Sequence, residues 1–347
     1  MMKEWFLDSC ALPDPDMAKL ARQRQLQLTK PPGSLGRLES IAITLSSMQS
    51  KLAPAVDKVE IAVFAGDHGI ANESVSAFPQ AVTVEMVKNF VRGGAAISVM
   101  ARQLEAGLTV INAGTCSEQA FGPPVIDRPV AFGTGNITTE AAMTYEQCIE
   151  ALALGKSIVD GYESEPELVI GGEMGIGNTS SATALAAAFG VSSAANLVGP
   201  GTGLNSDGVS HKLKMIEMAL NRVGKESNAI SLLAELGGFE IAALTGFYLR
   251  AAQRGTTILL DGFISTVAAQ AACKINPEVR DWLLFSHISA EPGHQLVLQA
   301  LSASPLLALE MRLGEGSGAA VAVNILRSAC ALQNEMATFA EAGVSDG

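Results

Sequence analysis

Charge is scarce in this chain: Asp, Glu, Lys and Arg make up 17% of its 347 residues, and the net charge of −12 leaves no basic run. Without Lys or Arg clusters interleaved with aromatics, a nucleic-acid partner is not expected. The five cysteines (Cys10, Cys116, Cys148, Cys273, Cys330) are odd in number and form no C-x-x-C pair. That argues against a disulfide framework or a structural zinc site, and a reducing cytoplasmic setting fits best. No stretch of 18 apolar residues occurs, and the opening MMKEWFLDSC lacks the basic start and apolar run of a signal peptide. A soluble protein is expected, with no membrane partner. Internal repeats and low-complexity tracts are missing as well.

What the chain has is a large apolar content, 48% of residues, with 34 glycines. Its length exceeds the usual single core, which implies one large domain with a helical annexe, or two domains. After the helical pattern of Leu35, Leu38, Ile41, Leu45, Met48 and Leu52, short apolar runs alternate with Ala-rich segments. The runs are 59–65, 108–113, 168–172, 256–261 and 282–287. Such alternation predicts an α/β fold, a parallel (Rossmann-like) sheet flanked by helices. The large α/β part is placed at residues 31–294. Residues 1–30 and 295–347 are expected to form a smaller helical part, with helix running from His294 to Leu313 and resuming after residue 318.

Each expected strand ends in polar or glycine residues: Gly66-Asp67-His68, Asn112-Ala113-Gly114, Gly172-Glu173, Asp261-Gly262 and His287. Ligands of open α/β sheets bind at the carboxyl ends of strands, so a site is expected there. In LVIGGEMGIGNTSSATAL a glycine turn opens a helix, and backbone amides from Gly175 to Ser180 suit an anion. The turn lacks the Walker lysine and the dinucleotide spacing, and equally fits a tight turn capped by Thr179 or Ser180. A second glycine cluster, GPGTGL, holds Gly199, Gly201 and Gly203, with Lys212 following as either a phosphate partner or an exposed helix lysine. In SVSAFPQAVTVEM, Phe78, Val84 and Met86 offer an apolar wall while Ser76 and Gln80 offer hydrogen bonds, as a flat aromatic ligand needs; the alternative is an ordinary loop.

Asp67, His68, His287 and His294, with Glu291, could be imagined as a metal-dependent hydrolase site. Their spacing matches no metal motif, however, and Pro292-Gly293 keeps them off one helix face. No metal is expected. Glu315 stands alone in RLGEGSGAA. In a dry, glycine-lined turn its pKa should rise, making it a general base; as the acid before a helix it equally fits a cap.

Taken together, TKPPGSLGRLE, AGDHGI, VSAFPQAVT, GGEMGIGNTSSATAL, GPGTGL, LDGF, EPGH and RLGEGSGAA stand in one order from residue 29 to residue 320. In that order they resemble the nicotinate-nucleotide:dimethylbenzimidazole phosphoribosyltransferases of cobalamin biosynthesis. The resemblance implies transfer of phosphoribose from nicotinate mononucleotide to 5,6-dimethylbenzimidazole, with α-ribazole 5′-phosphate and nicotinate as products. It implies Glu315 as general base and Glu173 as a second active-site acid. Gly175, Gly177, Asn178, Thr179, Ser180, Gly201, Thr202, Gly203, Lys212 and Ser289 would hold phosphate and ribose. Ser76, Phe78, Gln80, Met86 and Leu313 would line the benzimidazole pocket. A homodimer without cofactor is implied too. Two other classes are weighed against it: the metal-dependent hydrolase, and a nucleotide-binding module that binds without reacting.

Overall fold

A computed structural model describes residues 4–226 and 228–345. Residues 1–3 and 346–347, the outer ends of the two expected terminal segments, and Ser227 lie outside the described residues. Six strands form one sheet: β1 (Val59–Gly66), β2 (Gly107–Gly114), β3 (Ile126–Asp127), β4 (Leu168–Met174), β5 (Thr257–Leu260) and β6 (Leu283–Phe285). Their spatial order is β3-β2-β1-β4-β5-β6 and all neighbours pair in parallel. This is the doubly wound order, with its switch between β1 and β4. Five strands lie where the apolar runs place them. The sixth, β3, has two residues, too few to leave a pattern.

Both faces of the sheet are covered, which is why the strands read as unbroken apolar runs. Ala62, Phe64, Val169, Ile258 and Leu260 join one core cluster, and Ile61, Val63, Leu168, Ile170 and Leu259 the other, in the two-residue alternation of a strand. The first face carries α5 (Tyr145–Asp160), α6 (Asn178–Ala188), α7 (Ala194–Leu197), α8 (Ser206–Val223), α9 (Ala229–Leu236), α10 (Phe239–Gln253) and α11 (Phe263–Ile275). Helices α5 and α10 press together where Gly155 and Gly246 stand, since a Cβ on either would strike a main-chain carbonyl of the other helix.

The second face carries α2 (Arg37–Met48), α3 (Ala81–Arg92), α4 (Ala96–Leu104) and α13 (Ser317–Glu335). Ala319, Ala320, Val323 and Leu326 of α13 share its core with the sheet. At the distal end of α13, Arg24 of α1 (Pro15–Gln27) donates to the carbonyls of Gln333, Asn334 and Met336. A bridge joins Leu28 to Thr338, just before α14 (Phe339–Ala342).

The helix expected to run from His294 to Leu313 instead ends early, as α12 (Pro292–Ala300). Pro305 has no N–H for a helical bond. Beyond it the chain runs alongside the end of β6: Leu306 N–H donates to Phe285 O (3.1 Å), Ile288 N–H to Leu307 O (2.8 Å) and Ala290 N–H to Met311 O (2.9 Å). This extended strap delivers residues 312–316 to the carboxyl ends of the strands.

Candidate active site

The last residues of β4 and the strap meet at the sheet's carboxyl edge. Gly314, Glu315 and Gly316 all hold positive φ, +88°, +65° and +86°. For glutamate this is a strained conformation that the surroundings must enforce. Asp261, directly after β5, does the enforcing: it accepts from Gly316 N–H (3.1 Å) and Ala319 N–H (3.0 Å). It thereby caps α13 from another element. Glu315 N–H also donates to Glu173 O (3.3 Å), and a Cβ on Gly314 would strike Glu173 Oε1.

Both acids are buried, and burial pushes both carboxyls up. Glu173 is held well above the usual range by desolvation, reinforced by Asp261, Glu240 and Glu315 and opposed by the Asn178 amide that donates to its Oε2. Glu315 is raised by desolvation; the N–H of Ile97, at the start of α4, pulls the other way, and Asp261 adds to the rise. Buried acids raised by desolvation and by neighbouring carboxylates are a pattern of proton-handling sites.

A cleft of about 260 Å³ opens beside them. Of the residues predicted from sequence, Glu173, Gly175, Asn178, Thr179, Gly201, Thr202, Ser289, Phe78 and Leu313 line it. Glu315 sits behind Gly314, with its side chain turned toward Ile97. Lys212 is fully buried behind the wall, its Nζ donating to Thr179 Oγ1 (2.7 Å) and Gly199 O (3.3 Å). Gly177 (φ +99°) faces His68 and Ile70, Ser180 is buried, and Gly203 is exposed on the loop. Of the turn's amides, Ile176 N–H is taken by Thr83 Oγ1, Asn178 N–H by Gly175 O and Ser180 N–H by Gly177 O, so fewer remain for an anion than the sequence implies.

The loop carrying Phe78 docks on the second glycine cluster, where Ser76 Oγ and Ala77 N–H meet Thr202 Oγ1 at 2.9 and 3.1 Å. It ends at Gln80, whose amide donates to His68 O (3.3 Å). Val84 and Met86 therefore stand on α3 rather than in the wall. Met174, Phe263 and Ile264 supply the apolar surface instead, with Phe78 and Leu313. Of the expected apolar wall, Phe78 lines the cleft while Val84 and Met86 lie on α3.

His68 and His294 are engaged elsewhere, while His287 lines the cleft with its Nδ1 2.9 Å from Ser286 Oγ. His68 Nε2 lies 2.6 Å from Glu240 Oε1 and its Nδ1 3.0 Å from Ser181 Oγ. His294 Nδ1 accepts from Ser289 N–H (2.9 Å), so its Nε2–H faces Thr266 Oγ1 (3.0 Å). Burial pushes its pKa down to about 3. Among the described residues no three His, Cys, Asp or Glu side chains converge as a metal requires.

Asp261 as an anchor, Glu240 under Glu173, and Arg312, which donates to Gly201 O (3.1 Å), had no assigned role from sequence. Glu240 carries the same signal as Glu315, a lone acid in an apolar stretch (GGFEIAAL).

A family model described as phosphoribosyltransferase (DBI_PRT) matches residues 10–344. The chain is 53% identical to the nicotinate-nucleotide--dimethylbenzimidazole phosphoribosyltransferase of Pseudomonas aeruginosa, covering 100% of this chain and 99% of that one. It is 52% identical to the protein of the same name from Xanthomonas axonopodis pv. citri, covering 100% of each. Its fold superposes on the crystal structure of CobT from Thermus thermophilus with a TM-score of 0.90 at 41% identity, over 96% of this chain and 100% of that chain. Fold and sequence agree, and the chain belongs to the DBI_PRT phosphoribosyltransferase family.

Proposed function

We propose that the protein transfers phosphoribose from nicotinate mononucleotide to 5,6-dimethylbenzimidazole, yielding α-ribazole 5′-phosphate and nicotinate for the nucleotide loop of cobalamin. The named relatives support this reading. The observation that carries it is the meeting of Glu173 and Glu315 through the strained turn at the cleft. The C1′–N bond to nicotinate breaks with its electron pair going to the pyridinium nitrogen, so departure neutralises a charge and needs no acid. A benzimidazole nitrogen bonds to the opposite face of C1′, inverting it. The second benzimidazole nitrogen then gives its proton to a carboxylate. Glu315 takes that proton, and Glu173 favours the cationic sugar of the transition state. As written, the transfer requires no cofactor.

Asn178, Thr179, Ser289 and the glycine turns hold the nucleotide, with Lys212 behind Thr179. Phe78, Met174 and Leu313 flank the heterocycle. A cytoplasmic homodimer is part of the proposal; among the described residues no helix is long and apolar enough to cross a membrane. The smaller helical part consists of α1, the distal end of α13 and α14.

Incubation with nicotinate mononucleotide and dimethylbenzimidazole in metal-free buffer tests the reading. Nicotinate should be released only when both substrates are present. Nucleotide binding without release points to the non-catalytic module. Hydrolysis that a chelator stops and added metal restores points to the hydrolase.

A further inference from the structure

At the cleft wall two opposite charges share a dry slot, Lys212 behind the wall and Glu291 among its lining residues. Lys212 enters from α8, fully buried, and grips Thr179 Oγ1 and Gly199 O. Glu291 enters from the start of α12 and is 6% exposed. It precedes Pro292 at the helix N-terminus, yet its side chain makes no capping bond. Its Oε1 finds no hydrogen-bond partner in the protein, and its Oε2 packs so closely on Gly199 that a Cβ there would collide with it. A buried carboxylate that neither caps nor bonds fully has another reason to be there.

The surroundings narrow that reason. Helices α6 and α7, on which α8 packs, carry no titratable side chain, nor does the loop 199–203. On α12, His294 is committed to Ser289 and Thr266, and on α8, His211 Nε2 faces Glu73 O (2.7 Å). Arg312 reaches Gly201 O from the strap. Among the described residues Glu291 is thus the one anion attracted to Lys212 in the slot, with Arg312 as its second cationic neighbour.

We propose that Glu291 is a positioning residue, the buried counter-ion that keeps Lys212 protonated so that a cation stands behind Thr179 and Gly201. This rests on the functional reading above, in which the nucleotide phosphate lies against that wall. An ammonium taken out of water gives up its proton readily, and burial brings Lys212 down to about 8 even with Glu291 opposing the fall. Without the carboxylate the slot would hold a neutral amine near physiological pH. The phosphate would then lose its buried positive partner.

The test is the pH dependence of kcat/KM for nicotinate mononucleotide in wild type, E291Q, E291D and K212R. Wild type should show an alkaline limb with its midpoint near 8. In E291Q the midpoint should fall by about two pH units. At pH 7 its kcat/KM should drop roughly tenfold, while kcat at saturating nucleotide is largely kept. E291D should return the limb toward wild type, and K212R, permanently charged, should lack it. The proposal is overturned if wild type has no such limb, if K212R retains it, or if E291Q keeps both the wild-type melting temperature and an unmoved limb. E291M, uncharged and of similar volume, stands in should E291Q not fold. Failure of the functional reading looks different: wild type then releases no nicotinate at any pH.

Discussion

Two glycine-rich turns face each other across the cleft, and they are built in opposite ways. The turn at 314–316 is buried at Glu315 and Gly316, held by Asp261 and Glu173, and forces a glutamate into a left-handed conformation. The turn at 199–203 is exposed at Thr202 and Gly203, where a Cβ on Gly203 would meet nothing within 4 Å. One is fixed and dry, the other open and latched to its neighbour by the hydroxyls of Ser76 and Thr202. A group that must take a proton needs a fixed position and a low dielectric. A surface that receives a nucleotide must first admit it.

Substitutions can break this contrast at either turn. At the fixed turn, Glu315→Gln should leave the fold intact and lower kcat by about 10²–10⁴-fold, the usual cost of removing a general base. Turnover close to wild type would remove Glu315 from the mechanism. Next in size is the difference between two alanines: G314A places a methyl against Glu173 in a left-handed backbone, whereas G203A adds strain alone. The first should cost roughly tenfold or more in kcat, the second less than about threefold. Equal losses, measured side by side, would mean that the turns do not differ as described. At the open turn, S76A should raise KM for the substrates by only a few-fold, since it deletes one exposed hydroxyl pair; a kcat effect larger than that of G314A would reverse the comparison.

The smallest effect concerns stability. The carboxyl of Glu173 has a higher pKa folded than unfolded, so stability is fully present below the ordinary carboxylate range and is lost as pH rises toward the raised value. E173Q removes that loss, and at pH 7 should melt about 2 °C or more above wild type while turning over more slowly. An unchanged melting temperature would show that Glu173 ionises at little cost.

The strands were legible because burial on both faces writes itself as apolar runs, and the site because glycines and acids collect at their ends. Glu315 could be singled out for its isolation. The strap at 301–313 was not legible: its Leu and Ala residues fit a helix, and the partner that keeps them extended lies at 285–290, visible only in three dimensions. The same holds for Asp261, whose carboxylate serves amides 55 and 58 residues away. The depth of Lys212 depends on α6 and α7 closing over α8. Met86 was misplaced because α3 begins at Ala81, sooner than the loop chemistry of VSAFPQ suggests.

The strap also fixes a sequence of events during synthesis. Every strand of the sheet, the glycine clusters at 175–177 and 199–203, and Glu173 precede residue 300, whereas Glu315 and the last helix of the second face follow it. A nascent chain emerging from the ribosome therefore completes both glycine clusters and Glu173 before Glu315 exists. A product truncated within the strap would retain Lys212 and Glu291 but lack Glu315, the proposed proton acceptor, and the second face of its sheet would be left only partly covered.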